Sequence, residues 1–191
     1  MALRDRRGGP QGGLIPTNDG HTCVWVGVPR DRFAMLRPVG EESLLRGLDA
    51  LSPAVAAEVR AGRRVSHVRG YVGEPGVVRR PYGPGWALVG DAGHYKDPVT
   101  AHGMTDALRD AELLSRALVE VARGADEGET LAAYARRRDD LSRSIFSITD
   151  QVTGFRGDLE RLDVLLRSLS AALKEETAAL LRLDEPASWA A

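Results

Sequence analysis

The stretch from Trp86 to Ala111 limits the fold of this 191-residue chain more than any other. A short apolar run ends at Gly90 and Asp91, a turn containing Pro98 follows, and an amphipathic helix begins after the turn. This order predicts a strand, a loop and a helix N-terminus, which together present backbone N–H groups to a ligand. Gly90 leaves room for close approach, and Asp91 supplies a carboxylate that can bind a hydroxyl group. We therefore expect a ligand site in this stretch.

The composition and charge fit a globular protein and disfavour several partners. Lys and Arg total 26 and Asp and Glu total 27, so the formal net charge is -1. Such a chain has no overall field that recruits nucleic acid or an anionic membrane surface. The apolar runs are far shorter than the ~20 residues that a membrane span needs, and we expect a cytoplasmic protein.

Cysteine and histidine usage gives no sign of a metal centre. Cys23 is the only cysteine, which excludes an internal disulfide and a cysteine-based zinc cluster, and we expect it to be a buried thiol within a strand. The four histidines are dispersed and do not form the helical i, i+4 pair of a metal site, so no metal is expected. They are His21, His67, His94 and His102.

The first 85 residues predict a β-sheet region with two short helices. Residues 1–13 are polar and glycine-rich, and we expect them to be mobile. Trp25 is expected in a strand, where it could line a pocket, although core packing is favoured for a large aromatic residue. The expected elements are a hairpin of residues 14–16 and 22–28, helices at 41–51 and 53–61, a strand at 63–72, and a loop at 74–86 with pairing only at 77–78.

Three helices are expected in the second half of the chain. The first should bury Ala107, Ala111, Leu114, Leu118 and Val121, which recur at spacings of three and four. The other two should cover residues 130–153 and 158–183, the latter striped by Leu159, Leu162, Leu166, Leu169 and Leu173 and followed by Pro186. Arg138 falls on the buried stripe of the middle helix and needs a carboxylate or carbonyl partner, which favours a structural role.

The segment GDAGHYKDPVTAHGMTDALRDAELL resembles the second flavin-contacting motif of FAD-dependent oxidoreductases of the para-hydroxybenzoate hydroxylase type. That family includes aromatic hydroxylases, flavin-dependent halogenases and geranylgeranyl-reductase-like enzymes. Three positions depart from the family pattern: Gly93 replaces an Ala, Ala101 replaces a common Gly, and His102 replaces a common Gln. The matching residues are Gly90, Asp91, Ala92, His94, Pro98, Gly103, Asp110 and Ala111.

The resemblance extends to other parts of the chain and implies a fold. PTNDGHTCVWVGVP is similar to the family's substrate-domain hairpin, and YARRRDDLS is similar to its C-terminal helix. The implied class is α/β, or α+β for a fragment, equivalent to the C-terminal part of an FAD/NAD(P)-binding fold. Residues 1–85 would be part of the substrate-binding sheet domain, 86–123 the last strand and helix of the FAD-binding domain, and 124–191 the C-terminal helices.

The resemblance also implies a cofactor site. Asp91 would hydrogen-bond the ribityl chain of FAD, the segment from Pro98 to Thr105 would pass the isoalloxazine ring, and the helix N-terminus would face the pyrimidine edge. The substrate would be a small organic molecule on the hairpin sheet, with NADPH or NADH as reductant. No residue is singled out as catalytic. The implied cofactor-binding residues are Gly90, Asp91, Pro98, Ala101, His102, Gly103 and Met104.

A flavoprotein of this kind normally opens with a Rossmann βαβ unit that carries GxGxxG, and this sequence has no such fingerprint. Two functions follow as alternatives. The first is an FAD-dependent, monooxygenase-like oxidoreductase of which this is the C-terminal portion. The second is a truncated, non-catalytic remnant or interaction module that cannot bind FAD alone. A homodimer through residues 130–183, or pairing with a separate FAD-binding segment, is compatible with both.

Overall fold

A computed structural model describes residues 2–4, 10–154 and 159–183. The described chain forms two compact units, which are treated separately below. The first unit holds residues 2–4 and 10–73, and the second holds residues 74–154 and 160–183. The domain boundaries suggested by the family resemblance remain a prediction.

An antiparallel three-stranded sheet and two helices build the first unit. The strands β1 (Ala2–Arg4), β2 (Gln11–Pro16) and β3 (Thr22–Gly27) lie in that order, and Leu14 pairs with Val24. Short 3-10 turns occupy Asn18–Gly20 and Arg30–Leu36, and the helices are α1 (Glu41–Leu51) and α2 (Pro53–Ala61). One face of the sheet packs against the helices in a core of Leu48, Val55 and Ala56 with Leu14, Val24, Val26, Leu45 and Val59.

The hairpin and both helices were expected, but three expectations for this unit are wrong, two of which concern the sheet. Residues 2–4 and 11–13 form paired strands rather than a mobile segment, because glycine needs no side chain to join a backbone ladder. Residues 5–9 lie outside the described part of the chain. Cys23 is exposed rather than buried, since it lies on the sheet face opposite the one that α1 and α2 cover. Trp25 shares that face and is half-buried.

The strand expected at residues 63–72 is absent, and that described segment is irregular. Alternation of apolar and polar residues stabilises a strand only when a neighbouring strand pairs with it and one face is buried. Among the described residues no strand pairs with this segment, and Val65 and Tyr71 are 54% and 64% exposed, so neither condition is met. The alternation in residues 63–72 therefore shows that the segment is able to form a strand, but it does not show that another strand will pair with it.

The second unit begins with four two-residue strands. They are β4 (Val77–Val78), β5 (Tyr82–Gly83), β6 (Trp86–Ala87) and β7 (His94–Tyr95), and they pair antiparallel as β4 with β7 and β5 with β6. The strand expected at the start of the Trp86–Ala111 stretch is therefore only two residues long, and it pairs antiparallel with β5. After Ala87, the Leu88 N–H donates to the Pro81 carbonyl at 2.7 Å, and the Leu88 carbonyl accepts a hydrogen bond from the Tyr134 hydroxyl at 2.7 Å. Short 3-10 turns follow at Gly90–Ala92 and Pro98–Thr100.

Three long helices complete the second unit: α3 (Gly103–Ala122), α4 (Glu127–Thr153) and α5 (Leu159–Leu181). Helix α4 starts three residues earlier than expected, because the Asp126 carboxylate caps it by accepting the Glu129 N–H at 2.8 Å. Its expected buried stripe is largely confirmed, with Leu131, Tyr134, Ile145 and Val152 buried. None of the described helices is long and apolar enough to cross a membrane.

The buried face of α3 differs from the expected one. Ala111 and Leu118 are exposed, whereas the buried residues are Asp106, Arg109, Asp110, Leu113 and Ala117. The buried stripe thus lies one residue earlier, which is about 100° around the helix. The hydrophobic periodicity does not reveal this face, because in the first turns of α3 the buried side chains are charged and form ion pairs with one another. Helix α5 likewise departs in part from its expected stripe, since Leu166 is exposed and Leu165 is buried.

Candidate functional site

Gly90 ties the end of the apolar run to helix α3. Its backbone has φ +55°, a left-handed conformation that favours glycine. Its N–H donates to Asp110 Oδ2 at 3.0 Å, and a Cβ at this position would lie 2.9 Å from the Cβ of Ala107. The conformation and the close approach both require glycine. Gly90 therefore sets the position from which the Asp91 side chain extends into solvent.

Asp91 presents a free carboxylate from a fixed backbone. The guanidinium of Arg79 donates through Nη1 to the carbonyl oxygens of Asp91 at 3.3 Å and Ala92 at 3.0 Å. The Asp91 side chain is exposed, and its carboxylate accepts no hydrogen bond from the residues that the structure describes. A Cβ built on Gly103 would lie 3.8 Å from Asp91 Oδ1, and apart from its chain neighbours and its own helix backbone no other described atom would lie within 4 Å. Asp91 therefore lies beside the start of α3, where the surface is open.

The entrance turn, residues 98–103, leads into α3 with one strained residue. Asp97 caps its first part by accepting the Val99 N–H at 2.9 Å, and the Thr100 hydroxyl lies 3.1 Å from that of Thr149 on α4. Ala101 then adopts φ +52° and ψ 33°. A side chain costs about 1–2 kcal/mol in this left-handed conformation, which explains why glycine suits the position.

The start of α3 keeps its backbone donors available. His102 occupies the N-cap position without capping the helix through its side chain, and the N–H of Asp106 is the first to bond back to the His102 carbonyl. The N–H groups of residues 103–105 therefore have no partner within the helix. Met104 is 83% exposed at the same end, and Pro98 and Ala101 are exposed as well.

His102 differs from the other expected cofactor residues because its ring is buried. Its Nε2 lies 2.7 Å from Glu176 Oε2 on α5 and 3.8 Å from Asp106 Oδ1. The structure thus brings Asp91 and Gly103 together at the open surface, whereas the imidazole of His102 points into the protein. His102 can contribute to a ligand site through its backbone and through the shape of the entrance turn.

Beneath the entrance turn lies a charge cluster of Lys96, Asp106, Arg109, Asp110 and Glu176. Arg109 is its centre, with Nη1 at 2.8 Å from Asp106 Oδ1 and at 2.6 Å from Glu176 Oε1. Its Nη2 lies 2.7 Å from Asp110 Oδ1. Lys96 forms an ion pair with the other oxygen of Asp106. All five side chains are buried.

Burial and mutual charge shift the titration of the cluster. Burial, followed by the Arg109 charge, lowers the pKa of Lys96 to about 8. Burial acts to raise the pKa of Glu176, but hydrogen bonds from His102 and Arg109 together with their charges outweigh it and hold that pKa below its ordinary value. Glu176 is therefore an ionised, acceptor-only carboxylate near neutral pH.

Two carboxylates of this cluster, together with His102, form a group of potential metal ligands. Ligand atoms of His102, Asp106 and Glu176 all lie within 4.8 Å of one another. However, Lys96 and Arg109 already neutralise the two carboxylates at contact distance. A divalent cation would have to displace or oppose these two positive charges, so we assign the cluster as an ion-pair network.

Arg138 has the partners that its position on the buried stripe required. Its Nε and Nη2 donate to Asp139 Oδ1 at 2.9 and 2.5 Å, and Nη2 also lies 3.3 Å from the Arg79 carbonyl oxygen. A Cβ on Gly93 would lie 2.7 Å from Arg138 Nη1. The buried guanidinium therefore fills the space that the family's alanine side chain would need.

His94 is a packing residue in this arrangement. It is 1% exposed, and its ring centroid lies 5.0 Å from that of Phe146. Burial, followed by the charges of Lys96, Arg109 and Arg138, lowers its pKa to about 4. The imidazole is accordingly neutral at physiological pH.

Sequence reasoning missed Lys96, Asp106, Arg109 and Glu176. A signal for Glu176 exists, because it continues the buried α5 positions Leu162, Leu165 and Ala172 at helical spacing, much as Arg138 interrupts the stripe of α4. A charged residue on a buried stripe requires a partner. The partner's identity depends on tertiary structure, since Glu176 and His102 are 74 positions apart in the chain.

Comparisons with known proteins give matches that include the segment described above. A family model described as an FAD binding domain matches residues 77–149. A digeranylgeranylglycerophospholipid reductase of Methanopyrus kandleri is 29% identical to this chain, with 65% of this chain and 36% of the reductase covered. PqsL from Pseudomonas aeruginosa, described as a probable FAD-dependent monooxygenase, aligns with a TM-score of 0.67 at 23% identity. The structure of PqsL in complex with 2-aminobenzoylacetate gives a TM-score of 0.68, also at 23% identity.

Residues 77–149 therefore match the FAD binding domain model, which confirms the resemblance to flavoproteins that the sequence predicted. The likeness to PqsL covers 91% of this chain and shows a common mixed strand and helix fold. The chain spans 46% of PqsL and 36% of the archaeal reductase, which is less than half of either relative.

Proposed function

We propose that residues 90–104 form the flavin-ring side of an FAD site and that the chain acts in an FAD-dependent oxidoreductase of the monooxygenase-like type. The observation that carries the proposal is a free, exposed Asp91 carboxylate beside a helix start whose first N–H groups lack a side-chain cap. A carboxylate suits the hydroxyl groups of a ribityl chain, and a helix N-terminus suits the electron-rich edge of a pyrimidine ring. FAD, when bound, supplies the hydride and oxygen chemistry.

Each element of the segment would have a distinct task toward the cofactor. Asp91 would hold the ribityl chain, with its backbone held by Arg79. The N–H groups of residues 103–105 would stabilise negative charge that develops on the ring. Pro98, Ala101 and Met104 are exposed around the same turn and would shape the surface against which the ring lies.

The substrate in this proposal is a small organic molecule, and the reductant is NADPH or NADH. The sheet face that α1 and α2 leave uncovered carries Ile15, Cys23 and Trp25, an apolar surface suited to an organic substrate. A cytoplasmic location, and association through residues 130–183 with a second copy or with a separate FAD-binding segment, belong to the same proposal.

Titration of the purified chain with FAD, followed by flavin fluorescence and absorbance, tests the cofactor assignment. Asp91→Ala should weaken FAD binding by about 10- to 100-fold, the loss expected for a hydrogen bond to a charged group. Asp150→Ala is the matched control, because Asp150 is also an exposed carboxylate of the second unit. Equal FAD affinity in the wild type and the Asp91 variant would contradict the assignment. An intact chain that binds no FAD would favour the alternative of a module that needs a separate FAD-binding segment.

A further inference from the structure

We propose that Glu176 is a positioning residue for the candidate flavin site, acting from helix α5 through His102 and Arg109. The inference rests on the proposed function, since it concerns how that site keeps its shape. It goes beyond the flavin motif, because Glu176 lies 74 positions after His102 and outside the segment that the family model matches.

The location of Glu176 is unusual for a carboxylate. It is 3% exposed and lies on the same buried stripe of α5 as Leu162, Leu165 and Ala172. Burial of an ion is costly unless it is paired and hydrogen-bonded, so an acidic residue on this stripe depends on specific partners. An aliphatic residue would fill the same position without that requirement.

The two oxygens of Glu176 reach both halves of the candidate site. Oε2 lies 2.7 Å from His102 Nε2, at the end of the entrance turn. Oε1 lies 2.6 Å from Arg109 Nη1, and Arg109 in turn binds Asp110. Asp110 accepts the Gly90 N–H at 3.0 Å. One carboxylate thereby connects the Gly90–Asp91 corner with the start of α3.

The contact with His102 also fixes which ring nitrogen carries hydrogen. An ionised carboxylate only accepts hydrogen bonds, so Nε2 of His102 must be the donor. Arg109 retains Asp106 and Asp110 as partners without Glu176, whereas His102 would lose its hydrogen-bonded partner. The effect of removing Glu176 is therefore concentrated at the residue that precedes the free N–H groups of α3.

The test compares three variants with the wild type. Glu176→Met keeps the side-chain length and removes both acceptors, and Glu176→Gln keeps one oxygen that can accept from His102. Glu175→Met is the control, because Glu175 is the exposed neighbour on the same helix. The first measurement is the hydrogen-exchange rate at His102 Nε2, followed by imidazole nitrogen NMR on the flavin-free chain. The second is FAD affinity.

Glu176→Met should raise the hydrogen-exchange rate at His102 Nε2 by about tenfold and lower the FAD affinity by about tenfold. Glu176→Gln should restore most of the wild-type exchange rate and most of the wild-type FAD affinity. The thermal midpoint should fall below that of the Glu175 control, because the buried Arg109 and His102 lose an acceptor, so both readouts are compared at a temperature where every variant is folded. Unchanged FAD affinity in Glu176→Met, or a wild-type His102 without hydrogen on Nε2, would overturn the positioning role. If Glu176→Met does not fold, an unchanged His102 signal in Glu176→Ala would overturn it as well. A wild type that binds no FAD would instead overturn the proposed function, while the His102 measurement still reports the contact.

Discussion

Replacing Ala101 with glycine should stabilise the protein, although glycine substitutions normally destabilise. Ala101 has φ +52° and ψ 33°, a conformation that costs a residue with a side chain about 1–2 kcal/mol. Glycine removes that cost but adds about 0.4–1 kcal/mol of conformational entropy to the unfolded chain. The net gain in unfolding free energy is then about 0.8 kcal/mol at the middle of these ranges, which span about 0 to 1.6 kcal/mol. In a protein of this size such a gain raises the thermal midpoint by about 1–4 °C.

Urea and thermal unfolding followed by far-ultraviolet circular dichroism measure this change, because α3, α4 and α5 dominate the helical signal. Ala133→Gly provides the opposite case, since Ala133 is exposed within α4 and glycine there should cost about 1 kcal/mol. The reasoning would be refuted if Ala101→Gly destabilised the protein as much as Ala133→Gly does. Such a result would mean that the entrance turn does not hold Ala101 in the left-handed conformation.

Two further predictions concern packing and pH. Gly93→Ala should destabilise the protein by about 1–2 kcal/mol in urea unfolding, because its Cβ would lie 2.7 Å from Arg138 Nη1. The destabilisation caused by Gly93→Ala should be smaller in a protein that also carries Arg138→Met. If the free-energy changes of the two substitutions simply add in the double variant, the clash is disproved. His94 has its pKa lowered from 6.5 to about 4, so the unfolded state binds more protons between these values and stability falls as the pH drops through that window. The free energy of unfolding should fall by about 3 kcal/mol by pH 4 in the wild type. The fall should be smaller in His94→Phe, because phenylalanine does not titrate. Parallel plots of unfolding free energy against pH for the wild type and His94→Phe would contradict the prediction.

Elements with local signals were predictable from the sequence. Helices α1 and α2 have the expected bounds. For α2 the local signals are Ser52, which caps the helix by accepting the Val55 N–H at 3.4 Å, and Pro53 and Gly62, which mark its two ends. The β2–β3 hairpin was similarly marked by its Asn-Asp-Gly turn. Each of these signals acts within a few residues, so no knowledge of the tertiary structure was needed.

Features that depend on distant partners were not predictable. The strand expected at 63–72 lacked a neighbouring strand, and the sequence does not state which segments pair. The face of α3 was misjudged because apolar periodicity does not register a buried face made of Asp106, Arg109 and Asp110. At the candidate site, the proximity of Asp91 and Gly103 agrees with the motif, whereas the inward direction of His102 depends on Glu176.

The charge cluster beneath the entrance turn restricts how this sequence can diverge. Asp106 contacts both Lys96 and Arg109, and Arg109 contacts Asp110 and Glu176 as well. A single replacement would leave a buried charge without its partner, so a tolerated change at one position requires a matching change at another. Among proteins that share this arrangement, we expect positions 96 and 106, and positions 109 and 176, to vary as pairs. Such paired variation would connect a residue of the terminal helix with a motif more than sixty positions before it.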